Sequence, residues 1–366
     1  MAAGWPAKVN YATGDVLSAS NMNDIGGTLN LINPYTAGKN AIINGAFNVN
    51  QRQFTSNTVA GTYNFDRWCQ VHGGTTGTVT CTPQTFTAGA APVAGYEYTN
   101  YVQYVTAAGA SADTYALFQT ILEDVRTLAG QTATLSFWAK TASGTPKIGI
   151  EIGQNFGTGG SPSATVLTSI SAVTISTSWT RYTVSFTVPS ISGKTVGTTA
   201  NTSQLLIYFW MSAGTSFASR ASSIGLQNAT FQMWGVQLEA GSTATAFQTA
   251  SGTIGGELAL CQRYYYQIAT GTAIYLGQIS YSSVTQMQGY FPHKVSMRAT
   301  PTLTQVTGTN YYQTADGDGI NSLTIYYGNT EQSGWYNSTE AAGVKGTNYS
   351  IYTNNAASSL ALNAEF

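Results

Sequence analysis

Two histidines, His72 and His293, are all the imidazole this 366-residue chain offers, and neither stands in a nucleophile or metal-ligand motif. G-x-S-x-G, H-E-x-x-H and C-x-x-C are all absent, so both read as loop or strand residues. Cys69, Cys81 and Cys261 match no zinc spacing and cannot all pair within one chain. Reduced, buried thiols are the default reading, with a Cys69–Cys81 bridge between neighbouring strands as the alternative. Ser192-Gly193-Lys194-Thr195 echoes the end of a phosphate loop, but Val188 stands where its first glycine is needed and the flanks read as strands. Glu123 and Asp124 are adjacent, so on a strand they would face opposite ways. Only distant carboxylates such as Asp113 or Glu151 could converge into the two-acid site of a glycosidase. Asp316-Gly317-Asp318-Gly319 hints at calcium, yet the twelfth loop position is Tyr327, which makes a hairpin turn the better reading. No catalytic residue, metal ligand or cofactor is expected.

The remaining chemistry is that of binding. Sugars are held by flat aromatic faces against their C–H surfaces and by amides and hydroxyls on their hydroxyl groups. Two runs fit: Tyr96, Tyr98, Tyr101 and Tyr104 beside Asn100 and Gln103, and Tyr311, Tyr312, Trp335 and Tyr336 beside Asn310 and Gln313. Ordinary cross-strand packing is the competing account of tyrosines in strands. The expected carbohydrate-binding residues are Tyr311, Tyr312, Gln313, Trp335 and Tyr336, while Trp68, Trp138 and Trp234 are expected in the core.

The elements that must carry these residues are mostly β. Charged residues make up 8% of the chain against roughly a quarter in ordinary soluble domains, and Thr, Ser, Asn, Gln, Gly and Tyr take their place. A wetted strand tolerates Thr and Tyr, whereas an exposed helix would carry Lys and Glu. With 43% apolar residues, 23 Tyr, 14 Phe and 7 Trp, a large core is available. The net charge is −1, with the ionic residues dispersed singly, so no nucleic-acid partner is expected. The N-terminus lacks a basic region followed by an apolar one, and no stretch reaches the apolar length of a membrane helix. A soluble chain without membrane insertion or a cleavable signal follows as the expectation.

Three regions are read along the chain: 1–40, 41–250 and 251–366. In the first, Met22, Ile25, Leu29 and Ile32 recur at helical steps behind the capping candidates Ser20 and Asn21, and Asn33-Pro34 stops the helix. Such a short helix needs a partner surface, either its own domain or, as an anchor, a bundle with sister chains or a seat in a larger particle. In the second, Leu135, Phe137 and Ala139, then Ile148, Ile150 and Ile152, then Tyr182, Val184, Phe186 and Val188 alternate with polar or small residues. The run Leu205–Met211 is apolar on both faces and reads as a central strand covered on each side. In Phe231–Gln248, Trp234, Val236 and Leu238 are expected on one face and Met233, Gly235, Gln237 and Glu239 on the other, with Ala240-Gly241-Ser242 ending the strand. Gly- and Ser-rich breaks at 157–163 and 193–203 supply loops. Short strands so spaced make a sandwich or jelly roll. In the third region, Glu257–Ile268 reads as a strand pairing with Ala273–Ile279, followed by polar, Tyr-rich strands and turns that form an exposed tip.

Several of these segments carry a resemblance. Trp5–Gly26 resembles the N-terminal attachment segment of virion-associated tail proteins. Asn44-Gly45-Ala46-Phe47 followed by Asp66-Arg67-Trp68, and Val236–Gly241, resemble phage tail modules, while Leu135–Thr145 is similar to carbohydrate-binding jelly rolls. Phe291–Val295 with Met297–Pro301 resembles the distal β-domain of the same tail proteins. The resemblance implies a mainly β protein: an N-terminal attachment segment with a short helix, an antiparallel jelly-roll β-sandwich and a C-terminal distal β-domain. It further implies a virion component made in the host cytoplasm, a tail fibre or receptor-binding protein attaching to host surface polysaccharide. A homotrimer is implied, held to other tail or baseplate proteins through Trp5, Met22, Ile25, Leu29 and Ile32. Jelly rolls of this kind can hold a structural calcium, for which Glu239 is the candidate, although a hydrogen-bonded strand-end carboxylate is the preferred account. The competing functions are a polysaccharide-degrading tail spike and a purely structural connector or decoration. Fold resemblance alone transfers no sugar site.

Overall fold

The computed structural model describes residues 38–74, 77–93 and 97–366. The expected N-terminal helix and its anchor residues Trp5, Met22, Ile25, Leu29 and Ile32 lie outside them. The described chain is mainly β, and every named strand pairing is antiparallel.

The first half is a two-sheet jelly-roll sandwich. One sheet has six strands in the order Thr62–Tyr63, Trp68–Gly73, Tyr115–Leu122, Gln204–Ala213, Lys147–Asn155, Val166–Thr174. The other has five, in the order Thr78–Thr85, Asn100–Ala107, Ala229–Ala240, Thr132–Thr141, Thr180–Thr187. Alternation explains the layering, because Leu205, Ile207, Phe209, Phe118, Ile148, Ile150 and Ile152 from one sheet meet Leu135, Phe137, Ala139, Val102 and Tyr104 from the other. Trp68 stacks on Phe118 at 5.0 Å and 19° in this core. Trp68 and Trp234 are fully buried, and Trp138 is half-buried in an aromatic cluster on the outer face of the five-stranded sheet. Cys69 and Cys81 sit in different sheets, so they are not neighbours across a strand pair; all three cysteines are free and buried.

One expected strand has a different face pattern. Met233 joins the core with Val236 and Leu238, while Trp234 packs outside with Phe247. The register between Ala229–Ala240 and Thr132–Thr141 shifts between Trp234 and Gln237, where Gly235 adopts φ +63°. This bulge inserts one residue and reverses the parity of everything beyond it. Both faces of the strand are covered, Gln237 and Glu239 included.

The second half has its own core. Its seven-stranded sheet runs Gly319–Ile320, Tyr312–Thr314, Asn348–Thr353, Tyr275–Ser283, Gln286–Pro292, Gln332–Asn337, Thr324–Gly328, and a three-stranded sheet runs Tyr265–Thr270, Ser359–Asn363, Thr302–Gln305. The segment Glu257–Ile268 is not one strand. A helix, Ile254–Gln262, occupies its first half, with the Thr253 hydroxyl accepting from the Gly256 N–H at 3.1 Å. The run Glu-Leu-Ala-Leu suits a helix better than a strand. The strand Tyr265–Thr270 that follows pairs with Ser359–Asn363 rather than with Ala273–Ile279. Asp316–Asp318 lie in the hairpin between Tyr312–Thr314 and Gly319–Ile320.

A buried polar knot joins the halves. Asn44 donates its amide to the carbonyls of Val49 at 2.8 Å and Asp66 at 3.0 Å, its backbone N–H donates to Glu257 Oε2 at 2.8 Å, and its carbonyl accepts from Trp68 Nε1 at 3.0 Å. Arg67 is 1% exposed, donates to Glu365 and to the Ile121 carbonyl, and lies 3.5 Å over the Tyr264 ring. Arg52 pairs with Asp66 at 2.7 Å and Glu365 at 3.3 Å, and lies 3.7 Å over Tyr265. Burial lifts the Asp66 carboxyl to about 6 from an ordinary value of 3.8, with Arg52 opposing the rise.

Two expectations follow. Gly235→Val forces a β-branched residue into a positive-φ position against Trp138, and should cost about 2–3 kcal/mol in urea unfolding; an unchanged midpoint would remove the bulge from the account. The raised Asp66 carboxyl binds its proton more tightly in the folded state. Its ionisation therefore costs about 3 kcal/mol at neutral pH, a cost relieved as the pH falls through about 6 towards 4. Asp66→Asn should flatten that component of the stability profile between pH 4 and 7, and parallel profiles for the two proteins would refute it.

Candidate functional site

The central strand Gln204–Ala213 is hydrogen-bonded on both sides, as its two apolar faces imply, but its outer face is only partly covered. After the strand the chain turns back through a short 3-10 turn, Thr215–Phe217, and lays Phe217 and Ala221 against Trp210. The remaining outer face is a groove of about 400 Å³. Gln204, Leu206, Tyr208 and Trp210 form its floor, and Tyr115, Gln119 and Ile121 come from the adjacent strand. The register places Gln119 and Glu151 on either side of Tyr208, and Ile121 beside Leu206. Phe217 and Arg220 wall one end, and Phe366 from the second half contributes to the lining.

The groove has a built electrostatic support. Glu151 is fully buried and accepts from Arg220 Nε and Nη2, each at 2.8 Å, and from Trp210 Nε1 at 3.0 Å. This bidentate pair fixes the guanidinium 5.0 Å from the Trp210 ring centre, and the Arg220 side chain stays 33% exposed. Burial, then the Glu151 carboxylate, push the Tyr208 phenol up to about 12, so it remains a neutral donor and acceptor. Aromatic rings, two amides and one fixed cation can hold a hydroxyl-rich ligand by stacking and hydrogen bonds.

Acid–base chemistry finds less support here. Glu151 is engaged by Arg220 and Trp210, and Glu123 by Arg263 at 2.8 and 3.1 Å and the Tyr264 hydroxyl at 3.0 Å. Asp124 pairs with Arg126 on the surface, and Asp113 accepts from Ser111. His72 contacts the Thr58 carbonyl, and His293 bridges the Thr330 carbonyl and the Ser333 hydroxyl. Burial raises all three thiols, Cys69 to about 12, which keeps them protonated. Glu239 accepts from the Thr245 N–H and hydroxyl and from Gln237, and lies 3.5 Å from Lys39. No group of three His, Cys, Asp or Glu side chains placed to hold a metal occurs among the described residues, and no helix among them is long and apolar enough to cross a membrane.

The residues expected to bind sugar do not come together. Tyr312 is 0% and Trp335 1% exposed, and Trp335 stacks on Phe291 at 5.5 Å, so both are core residues rather than contact residues. The inward parity of their strand positions decides this. Three strands separate Tyr312–Thr314 from Gln332–Asn337 in the sheet, a span of about 19 Å. Tyr311 is half-buried, its carbonyl accepting from Asn354 and Ser358, and Gln313 donates to the Gly317 carbonyl. Tyr336 alone joins an aromatic surface cluster, packing edge-on to Tyr326 at 5.8 Å. Of the earlier tyrosines, Tyr96 lies outside the described residues, Tyr98 and Tyr101 belong to the aromatic cluster around Trp234, and Tyr104 is core. The groove residues had a signal, the even-numbered set Tyr208 and Trp210 inside the run Leu205–Met211, but periodicity does not tell a covered face from an open one.

The fold is an antiparallel jelly-roll sandwich with an open, aromatic groove on one outer face. Residues 39–212, less than half of the chain, match the family model of a carbohydrate binding domain. No curated protein matches the chain. Among solved structures, the enzymatically active domain of tailspike protein 4 of Bacteriophage CBA120 is similar at 14% identity and TM-score 0.31, over 55% of this chain and 21% of that one. Modules of the endo-1,4-beta-D-xylanase 10B of Clostridium thermocellum are similar at 14% identity and TM-score 0.31, over 57% and 30%. A xylan-binding domain of Paenibacillus barcinonensis is similar at 18% identity and TM-score 0.29, over 49% and 94%. The chain thus spans about a fifth and less than a third of the first two.

Glu151→Ala would leave Arg220 and the buried Trp210 N–H unpaired. It should lower stability by about 2–4 kcal/mol and shift tryptophan emission, as read by urea unfolding followed by fluorescence; an unchanged midpoint would deny the pair its role.

Proposed function

We propose that the chain is a non-catalytic glycan-binding protein whose ligand lies in the groove over Tyr208 and Tyr115, with the buried Trp210 supporting Arg220 from beneath. The observation that carries this reading is an open, amide-flanked aromatic groove whose floor falls within or beside the residues matched to a carbohydrate binding domain. Tyr208 offers a half-buried ring and a neutral phenol, Gln119 and Gln204 offer amides, and Arg220 is held in place by Glu151. The engagement of Glu151 by its two partners supports binding without hydrolysis, because a general acid or nucleophile must reach the glycosidic bond.

The finer setting we infer is the tail of a bacteriophage. There the chain serves as a tail fibre or receptor-binding protein, a homotrimer joined to other tail or baseplate proteins through its N-terminal region and attaching to host surface polysaccharide. The segments Trp5–Gly26, Asn44–Phe47, Asp66–Trp68 and Val236–Gly241 support this by their resemblance to virion tail proteins. Three copies on one particle would multiply weak glycan contacts into firm attachment.

Tyr208→Ala should weaken retention on an immobilised cognate polysaccharide about tenfold or more in a protein that still unfolds cooperatively, at a lowered midpoint because part of the ring is buried. Affinity gel electrophoresis reads the retention, and polysaccharide chain length is followed in the same incubation. Unaltered retention would move the ligand out of the groove, and shortening of the polymer would make the protein a depolymerase.

A further inference from the structure

The seven-stranded sheet of the second half carries a separate aromatic surface. Tyr290, Tyr326 and Tyr327 are 52%, 49% and 51% exposed, and with Gln332 they line a depression of about 560 Å³. Two backbone features create it. The register between Thr324–Gly328 and Gln332–Asn337 shifts between Ile325 and Tyr327, so Tyr326 is an extra residue and both consecutive tyrosines project from the sheet instead of one. Gly334 sits between the rings, where a Cβ would crowd Tyr290 at 3.2 Å and Tyr326 at 3.3 Å; glycine lets them close over this position without being pushed apart. Their hydroxyls meet at 3.3 Å, and Tyr336 braces Tyr326 from the side. Tyr290 and Tyr326 are held by these contacts yet half open to solvent.

We propose that this tyrosine surface is a second glycan site, taking an uncharged, hydroxyl-rich polysaccharide; the inference rests on the reading of the chain as glycan-binding. The chemistry of the surface selects that occupant. Three flat rings offer C–H stacking, the paired phenols and the Gln332 amide offer donors and acceptors, and among the described residues no Asp, Glu, Lys, Arg or His lines the depression. The volume lies in the range of ligand sites. A second copy of the chain is disfavoured by size, since three half-exposed tyrosines present roughly 100 Å² each against about 800 Å² per partner in a stable interface. Two sites on one chain would act together on a long polymer, the second engaging at the high local concentration set by the first.

The test compares four proteins, wild type, Tyr208→Ala in the groove, Tyr326→Ala/Tyr327→Ala in the sheet, and the combination, by affinity electrophoresis in gels containing xylan, mixed-linkage β-glucan, galactomannan, dextran or the anionic control alginate. Tyr290→Phe, which keeps the ring and removes one phenol, is run beside them, and thermal unfolding shows that each variant is folded. The expected result is an approximately tenfold loss of retention on a neutral polymer for the sheet double variant, a smaller loss for Tyr290→Phe, and a greater loss for the combination than for either part. Wild-type retention by the folded sheet variants would overturn the second site and leave the groove standing. Loss in the sheet variants with full retention by Tyr208→Ala would instead overturn the groove. Retention on alginate alone would overturn the uncharged class, and a wild type that binds none of the polymers would overturn both sites.

Discussion

The buried guanidinium of Arg67 is the constraint on which the rest of the structure turns. A charge taken out of water must be paired, and here its partners come from far apart in the sequence: Glu365, the Ile121 carbonyl and the face of Tyr264, while its Nε is left without a hydrogen-bond acceptor. Around it, Asn44 ties together Val49, Asp66, Trp68 and the helix residue Glu257, and Arg52 bridges Asp66 to Glu365. The two halves are therefore coupled by charges that neither could bury alone. Arg298, buried and bonded to the Ala364 and Glu365 carbonyls and to Asn201, extends the same coupling to the loop between the sandwich strands.

This knot gives the motifs Asn44–Phe47, Asp66–Trp68 and Val236–Gly241 a shared physical meaning. They meet in space, with the Val236 N–H donating to the Gly45 carbonyl at 2.9 Å and the Trp68 indole to Asn44. They are recognisable in the sequence because a buried polar junction admits few alternatives, whereas a binding face admits many. The same logic explains why they do not mark the proposed sites. Both aromatic surfaces lie elsewhere, on faces whose residues need only be flat, polar-edged and open.

Bulges do much of the remaining work. At Gly235 one inserted residue moves Trp234 out of the core and Val236 and Leu238 into it; at Tyr326 another turns a single outward tyrosine into two. Each is a one-residue event with consequences along the strand, because side-chain direction has a period of two. The groove arises from incomplete cover: Phe217 and Ala221 shield one part of the outer face of Gln204–Ala213, and Glu151 holds Arg220 at the boundary of what they leave open.

The sequence by itself determined the β class, the alternating strands, the central strand at Leu205–Met211, the breaks around 157–163 and 193–203, and the scarcity of acid–base groups. These follow from local periodicity and composition, which act over a few residues. It did not determine which aromatics are exposed, since Tyr312 and Trp335 look like binding residues in sequence and are core in the fold. It misread Glu257–Ile268, where the partner of Tyr265–Thr270 comes from the far end of the chain and helix propensity governs the first half. Only the tertiary structure decided the open faces, the parity changes at the bulges and the closure of the Arg67 knot, because each depends on strand register and on contacts outside the local window, with Arg67 and Glu365 298 positions apart.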